Sequence, residues 1–211
     1  MKKKVMSFFM AMCILLCASS MACAAGPNYS AVDKVARRGM DLIKSLERLG
    51  DQIVANNKHA FEVQLTRSER EVFDDEISSV MWNRVWAKDK TIVTGESGRN
   101  KKFYATSLVT ADPKMVFAGG IHVGASTEVL EKFFNAPLRE IAYRPGVIYN
   151  PAESDYDAES FYIFYDGNGR ITEIYARWGI FGPRSTRRDN FIKKTRQQLG
   201  FMNQDFKLID W

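Results

Sequence analysis

Cysteine is scarce in this chain and absent beyond its first segment. The 211 residues include three cysteines, Cys13, Cys17 and Cys23, and all three lie before residue 25. If that segment is removed, the remaining chain carries none. Disulfide bonds, thiolate metal sites and cysteine nucleophiles are then excluded from it together.

Histidine is equally rare, which limits the chemistry that the chain can support. His59 and His122 have no second histidine or cysteine at metal-ligand spacing, and a zinc site needs three or four converging ligands. Asp166 does not open a calcium loop of the EF-hand type, because the sixth residue from it is Ile171 and not glycine. The serine signatures Ser-x-x-Lys and Gly-x-Ser-x-Gly are absent. We therefore expect no catalytic residue, no metal and no cofactor.

No apolar run is long enough to cross a bilayer, which takes about 20 residues. The uncharged run over residues 5–17 follows Lys2, Lys3 and Lys4 and precedes small residues that include Ala22-Cys23-Ala24. This order predicts a secretory signal peptide over residues 1–25, cleaved near Ala24 or Ala25. The protein is then expected in the periplasm or outside the cell. Lipid attachment at Cys23 is the alternative.

The positive charge of the whole chain is mostly lost with this segment. Its three lysines leave, so that 27 basic residues face 25 acidic ones where the full chain has 30 and 25. A protein that binds nucleic acid through bulk charge would be more basic, and export also argues against that partner.

The next region reads as helical. Apolar residues recur at spacings of three and four from Val32 to Ile53, with charged residues on the other faces. This pattern predicts a long amphipathic helix. Its seam over residues 32–53 packs either on the protein's own core or on a partner helix.

Two further elements are expected before residue 90. Residues 61–66 alternate as a short strand. Ser68 and Glu71 fit a capping box that opens a second helix. Its buried face would hold Phe73, Ile77, Val80 and Met81, with Trp82 and Trp86 as a second apolar edge. Residues 26–90 are accordingly expected to form a helical N-terminal region.

The chain from residue 91 to residue 211 reads as a separate α+β module. Strands are expected at 91–98, 101–109 and 115–121, followed by a helix that begins at Ser126 and stops before Pro137. Residues 161–178 form two alternating runs around Asp166-Gly167-Asn168-Gly169, the clearest hairpin signal in the chain. The expected fold is an antiparallel sheet with helices packed on one face, preceded by the long amphipathic helix.

Two stretches carry a family resemblance. They are DPKMVFAGGIHVGASTEVLEKFFNAP and FYIFYDGNGRITEIY, within residues 112–175. Their helix entry, the proline after the helix and the glycine-turned hairpin resemble the BamE/SmpA-like and β-lactamase-inhibitor-protein-like modules of bacterial envelope and secreted proteins. The resemblance implies a module that binds or scaffolds another protein and has no catalytic centre. An inhibitor of a secreted enzyme is the alternative. A periplasmic hydrolase that uses the carboxylates of Glu153, Asp155, Asp157 and Glu159 is a more remote one.

The end of the chain is strongly basic. Seven cations face the single acid Asp189 over residues 177–196, and a helix is expected from its cap at Ser185 to Leu199. With Phe191, Ile192 and Leu199 turned inward, the cations would point outward. The candidates for contact with an anionic membrane surface or an acidic partner are Arg184, Arg187, Arg188, Lys193, Lys194 and Arg196.

Overall fold

A computed structural model of the chain describes residues 31–56, 60–71, 79–151, 160–178 and 182–201. Contacts group residues 34–211 into one unit. The predicted signal peptide, His59 and the acids from Glu153 to Glu159 lie outside the described residues.

Helices and strands alternate irregularly along the chain. The helices are α1 (Ala31–Asn56), α2 (Arg67–Arg70), α3 (Glu128–Phe134), α4 (Leu138–Ile141) and α5 (Thr186–Leu199). The strands are β1 (Phe61–Gln64), β2 (Trp82–Lys88), β3 (Thr91–Ser97), β4 (Tyr104–Thr110), β5 (Ala142–Arg144), β6 (Val147–Pro151), β7 (Ser160–Tyr165) and β8 (Ile171–Arg177).

All eight strands join one antiparallel sheet in the order β1-β2-β3-β4-β8-β7-β6-β5. Strands β1 to β4 follow one another as a meander, and so do strands β5 to β8. The two meanders meet where β4 pairs with β8, from Ser107 opposite Arg177 to Thr110 opposite Ile174. The predicted class, an antiparallel α+β fold preceded by a long helix, is confirmed.

Helix α1 packs on one face of the sheet. Its Leu42, Ile43 and Leu46 are buried in a cluster with Leu108 of β4 and Ile174 of β8. The amphipathic seam is therefore part of the protein's own core, which decides between the two interpretations of its pattern.

Glycine lets this helix come close to the sheet. A Cβ atom at Gly50 would lie 2.9 Å from Cζ2 of Trp178 and 3.0 Å from Cβ of Ala105. The same tryptophan donates a hydrogen bond from Nε1 to the Ala105 carbonyl at 2.8 Å. The residue that weakens the helix in isolation thus permits its packing across both meanders.

Helix α5 covers the opposite face, so the helices flank the sheet on two sides where the sequence suggested one. The rings of Phe191 and Phe61 stack at 4.2 Å between centroids. The predicted ends of this helix are confirmed. Ser185 caps it by accepting the Arg188 backbone N–H, and Gly200 ends it in the left-handed conformation, with φ of 70°.

The predicted helix that opens at Ser68 and carries Trp82 and Trp86 is wrong in its length and its cap. Helix α2 ends at Arg70, and the capping box joins Thr66 to Glu69. Trp82 and Trp86 lie on strand β2. A spacing of four places two residues on one face of a strand as well as of a helix, so the tryptophans fitted both patterns. Phe73 and Ile77 lie outside the described residues.

Two other expectations are corrected. Residues 115–121 form no strand but a turn with a short 3₁₀ helix at Ala118–Gly120, in which Gly119 has a positive φ of 72°. Within residues 26–90 the structure has the expected strand at β1 and a second strand, β2, in place of a helix, and both belong to the same sheet as the strands that follow. The predicted hairpin is confirmed. At its turn, Oδ1 of Asp166 accepts the backbone N–H groups of Asn168 and Arg170.

Candidate functional site

The sheet face beneath α5 holds a group of enclosed charges. Alternation along β8 turns Ile174 and Ala176 toward the α1 side and leaves Glu173 and Arg177 on the α5 side. Arg188 and Arg196 enter from α5, and Glu96 enters from β3. We call these five residues the buried charge cluster: Glu96, Glu173, Arg177, Arg188 and Arg196.

One end of the cluster is a tight ion pair. Nη2 of Arg196 lies 2.8 Å from Oε1 of Glu173, and the two side chains are only 7% and 1% exposed. The guanidinium of Arg196 also lies 4.5 Å from the ring centroid of Phe201. Arg177 donates from Nε to Oγ of Ser160, its partner across β7 and β8, at 2.8 Å. These bonds fasten α5 and the hairpin to each other.

Glu96 occupies the other end of the cluster and is half-buried, whereas the other four residues are buried. Its carboxylate occupies the space that a Cβ atom at Gly182 would take, so a side chain at that position would displace it. Its cross-strand neighbour Asn83 donates from Nδ2 to the Pro183 carbonyl at 3.2 Å. Burial raises the pKa of the Glu96 carboxyl from 4.5 to about 7, and the charges of Arg188 and Arg184 oppose this rise only in part.

Arg188 is a third buried cation of the cluster, beside Arg177 and Arg196. It is 8% exposed, and burial lowers the pKa of its guanidinium, which the charges of Asp189 and Glu96 counteract. Its Nη1 lies 3.7 Å from Oδ1 of Asp189. Since an arginine pKa starts far above neutrality, we treat Arg188 as a fixed positive charge facing Glu96.

The six basic residues singled out in the sequence do not share one surface. Arg188 and Arg196 are buried, so the expectation that the helix cations all point outward is wrong for these two. The reason is that Glu173 and Glu96 lie on the sheet face beneath them, which the helix sequence alone does not reveal. Arg184 is half-buried, and Arg187 donates to the Gln64 carbonyl at 2.8 Å. Lys193 and Lys194 are exposed.

A second basic surface was missed in the sequence. Residues 98–103 connect β3 to β4, and we call them the basic turn. Arg99, Lys101 and Lys102 are exposed there, and the sequence has no acid between Glu96 and Asp112. The run Arg-Asn-Lys-Lys-Phe-Tyr carries the signal, with three cations in four residues, but its alternation predicted only a strand.

Aromatic rings hold the cations of this surface in place. Nζ of Lys101 lies 3.9 Å from the ring centroid of Trp82, and Nζ of Lys102 lies 5.2 Å from that of Tyr104. Tyr104 itself is 54% exposed. Beneath the turn, the guanidinium of Arg84 stacks 3.9 Å from the Phe103 ring centroid.

The described parts of the chain contain neither a cluster of metal ligands nor a helix that could span a membrane. No group of three or more histidine, cysteine, aspartate or glutamate side chains converges there. Nδ1 of His122 hydrogen-bonds the Gly120 carbonyl at 2.8 Å, within its own turn. Over the same residues, no helix is both long enough and apolar enough to traverse a bilayer.

Comparison of the chain with protein-family models, curated proteins and solved structures finds no match. The resemblance of residues 112–175 to the BamE/SmpA-like and β-lactamase-inhibitor-protein-like modules therefore stays a prediction.

Proposed function

We propose that this protein is a non-catalytic binding module of the cell envelope, exported by its N-terminal segment, that engages another protein. The observation that carries the proposal is the buried charge cluster. Acid–base chemistry needs ionisable groups that a substrate can reach. Here four of the five charged side chains, Glu173, Arg177, Arg188 and Arg196, are buried under α5, and Glu173 and Arg196 pair with each other.

The enclosed charges fix the arrangement of the fold. A buried ion pair contributes little net stability, but removal of one partner is costly, so the pair fixes how α5 sits on the sheet. The exposed side chains at the basic turn are left for contact with other molecules. This division between an internal cluster and an external charged surface supports binding over catalysis.

The proposal is tested by site-specific photocrosslinking of the full-length protein expressed in its own cells. A photoreactive phenylalanine replaces Tyr104 in one variant, Val116 in a second and Gln198 in a third, because all three positions are exposed. We expect a reproducible protein adduct from one position and not from the other two. The absence of adducts at every position, or the same mixture at all three, would count against a specific protein partner.

A companion assay separates the inhibitor alternative from simple scaffolding. Purified protein is added to the enzyme that the crosslink identifies, or to a panel of secreted hydrolases if the adduct is not an enzyme. Loss of hydrolase activity that follows protein concentration would favour inhibition. Unchanged activity with a stable adduct would favour a scaffold.

A further inference from the structure

We infer that the basic turn is the docking surface for an acidic segment of the partner protein. This inference rests on the proposed function, because it names where the partner binds and what chemistry it presents. It also moves the anion-binding surface away from α5, whose sequence first suggested it.

The charges of the turn are held in position before any partner arrives. The Lys101 backbone N–H donates to the Gly98 carbonyl at 3.2 Å, and the Lys102 N–H donates to Oδ1 of Asn100 at 3.0 Å. Lys101 has a positive φ of 54°, and the two lysines lie over different rings. An ordered cation loses less conformational freedom on binding than a free one, so this arrangement favours a specific carboxylate partner.

Aromatic rings add contact area to the charge. Trp82 is partly exposed, and Tyr104 is one of two large hydrophobic side chains that are exposed in the described chain. Tyrosine, tryptophan and arginine are the residues that most often dominate protein interfaces. The turn therefore joins three cations, Arg99, Lys101 and Lys102, to two rings in one continuous surface.

Helix α5 offers a weaker alternative. Its Arg188 and Arg196 are buried, and Arg187 is engaged with Gln64 and lies 3.7 Å from Oε2 of Glu69. Lys193 and Lys194 are exposed, and neither ammonium group lies over an aromatic ring of the described residues. The two lysine pairs thus have equal charge and similar exposure but different surroundings, which makes each the control for the other.

The test compares Lys101→Gln/Lys102→Gln with Lys193→Gln/Lys194→Gln in the full-length protein. The probe is a labelled glutamate-rich peptide, with a glutamine-rich peptide of the same length as its neutral control. Binding is measured by fluorescence anisotropy at low and moderate salt. We expect the first variant to bind about tenfold more weakly and the second to change by less than about twofold.

Other outcomes would overturn the inference. Equal losses in both variants would mean that net charge alone attracts the peptide. A loss confined to the α5 variant would restore the helix as the anionic surface. Binding of the unmodified protein to phosphatidylglycerol vesicles but not to the peptide would make the occupant a membrane. Circular dichroism of both variants checks that each remains folded.

The two proposals fail separately. A crosslinked partner that attaches at Val116 or Gln198, together with peptide binding that the Lys101/Lys102 change leaves intact, would sustain the proposed function and reject this docking surface. Absence of crosslinks at all three positions would reject the function itself, whatever the peptide does.

Discussion

The replacement Glu96→Gln should stabilise the protein at alkaline pH and leave it nearly unchanged in acid. The carboxyl group titrates at about 7 in the folded chain against an ordinary value of 4.5. The folded state therefore holds the proton more tightly than the unfolded state does. Between these two values the stability of the parent falls as the pH rises, and above about 7 the loss is complete.

The size of the effect follows from the shift. At 1.36 kcal/mol per pKa unit, the rise in the pKa of Glu96 corresponds to a loss of about 3 kcal/mol in the free energy of unfolding. The remaining solvent contact of the side chain reduces this loss to about 2 kcal/mol. The amide of glutamine keeps the shape that packs on Gly182 but carries no charge to be desolvated. Below pH 4.5 the parent is itself neutral at this position, so the two proteins should then unfold alike.

Urea unfolding at several pH values between 4 and 8.5 measures this difference. The free energy of unfolding of Glu96→Gln minus that of the parent should rise from near zero to about 2–3 kcal/mol across the window. Glu128→Gln, at an exposed carboxylate in the first turn of α3, is the control and should show a small difference without this trend. A flat difference would mean that attraction to Arg188 and Arg184 balances burial, and a variant less stable at alkaline pH would mean that this attraction outweighs it. Either result would refute the reasoning.

Three further substitutions test the packing described above, each by urea unfolding at neutral pH. Gly50→Ala should lose about 1–3 kcal/mol, because its methyl group meets Trp178 at 2.9 Å; a neutral result would show that α1 can shift away. Arg196→Met alone should cost about 3–5 kcal/mol, whereas Arg196→Met combined with Glu173→Leu should recover much of the loss. Asp166→Ala should cost about 1–2 kcal/mol through two lost backbone hydrogen bonds, and Asp166→Asn, which keeps the acceptor, should cost less.

The elements with strong local signals were predictable from the sequence. Spacings of three and four located α1, and Asp-Gly and Asn-Gly located the hairpin between β7 and β8. Ser185 and Gly200 marked both ends of α5. In each case residues within the element itself, or directly beside it, decide the conformation.

The parts that failed depend on residues distant in the chain. Trp82 and Trp86 lie in strand β2 because β2 pairs with β3. The spacing of apolar residues along the sequence does not contain that pairing. Arg188 and Arg196 turn inward because Glu96 on β3 and Glu173 on β8 attract them, and both strands are distant from α5 in the sequence. The basic turn was not predicted as a binding surface because the ring that Lys101 contacts belongs to Trp82, which lies outside the turn's own sequence.

The arrangement of the two meanders has a consequence for the order of assembly. Among the strand pairings in the described chain, the joint between β4 and β8 connects the residues that lie farthest apart in sequence, while most other strands pair with their immediate successors. Closing the loop between distant segments is the slower step, since its entropy is lost before contacts compensate. Each meander can thus form early and locally. The joint, with Gly50 packed against Ala105 and Trp178 on its two sides, then closes late and sets the folding rate.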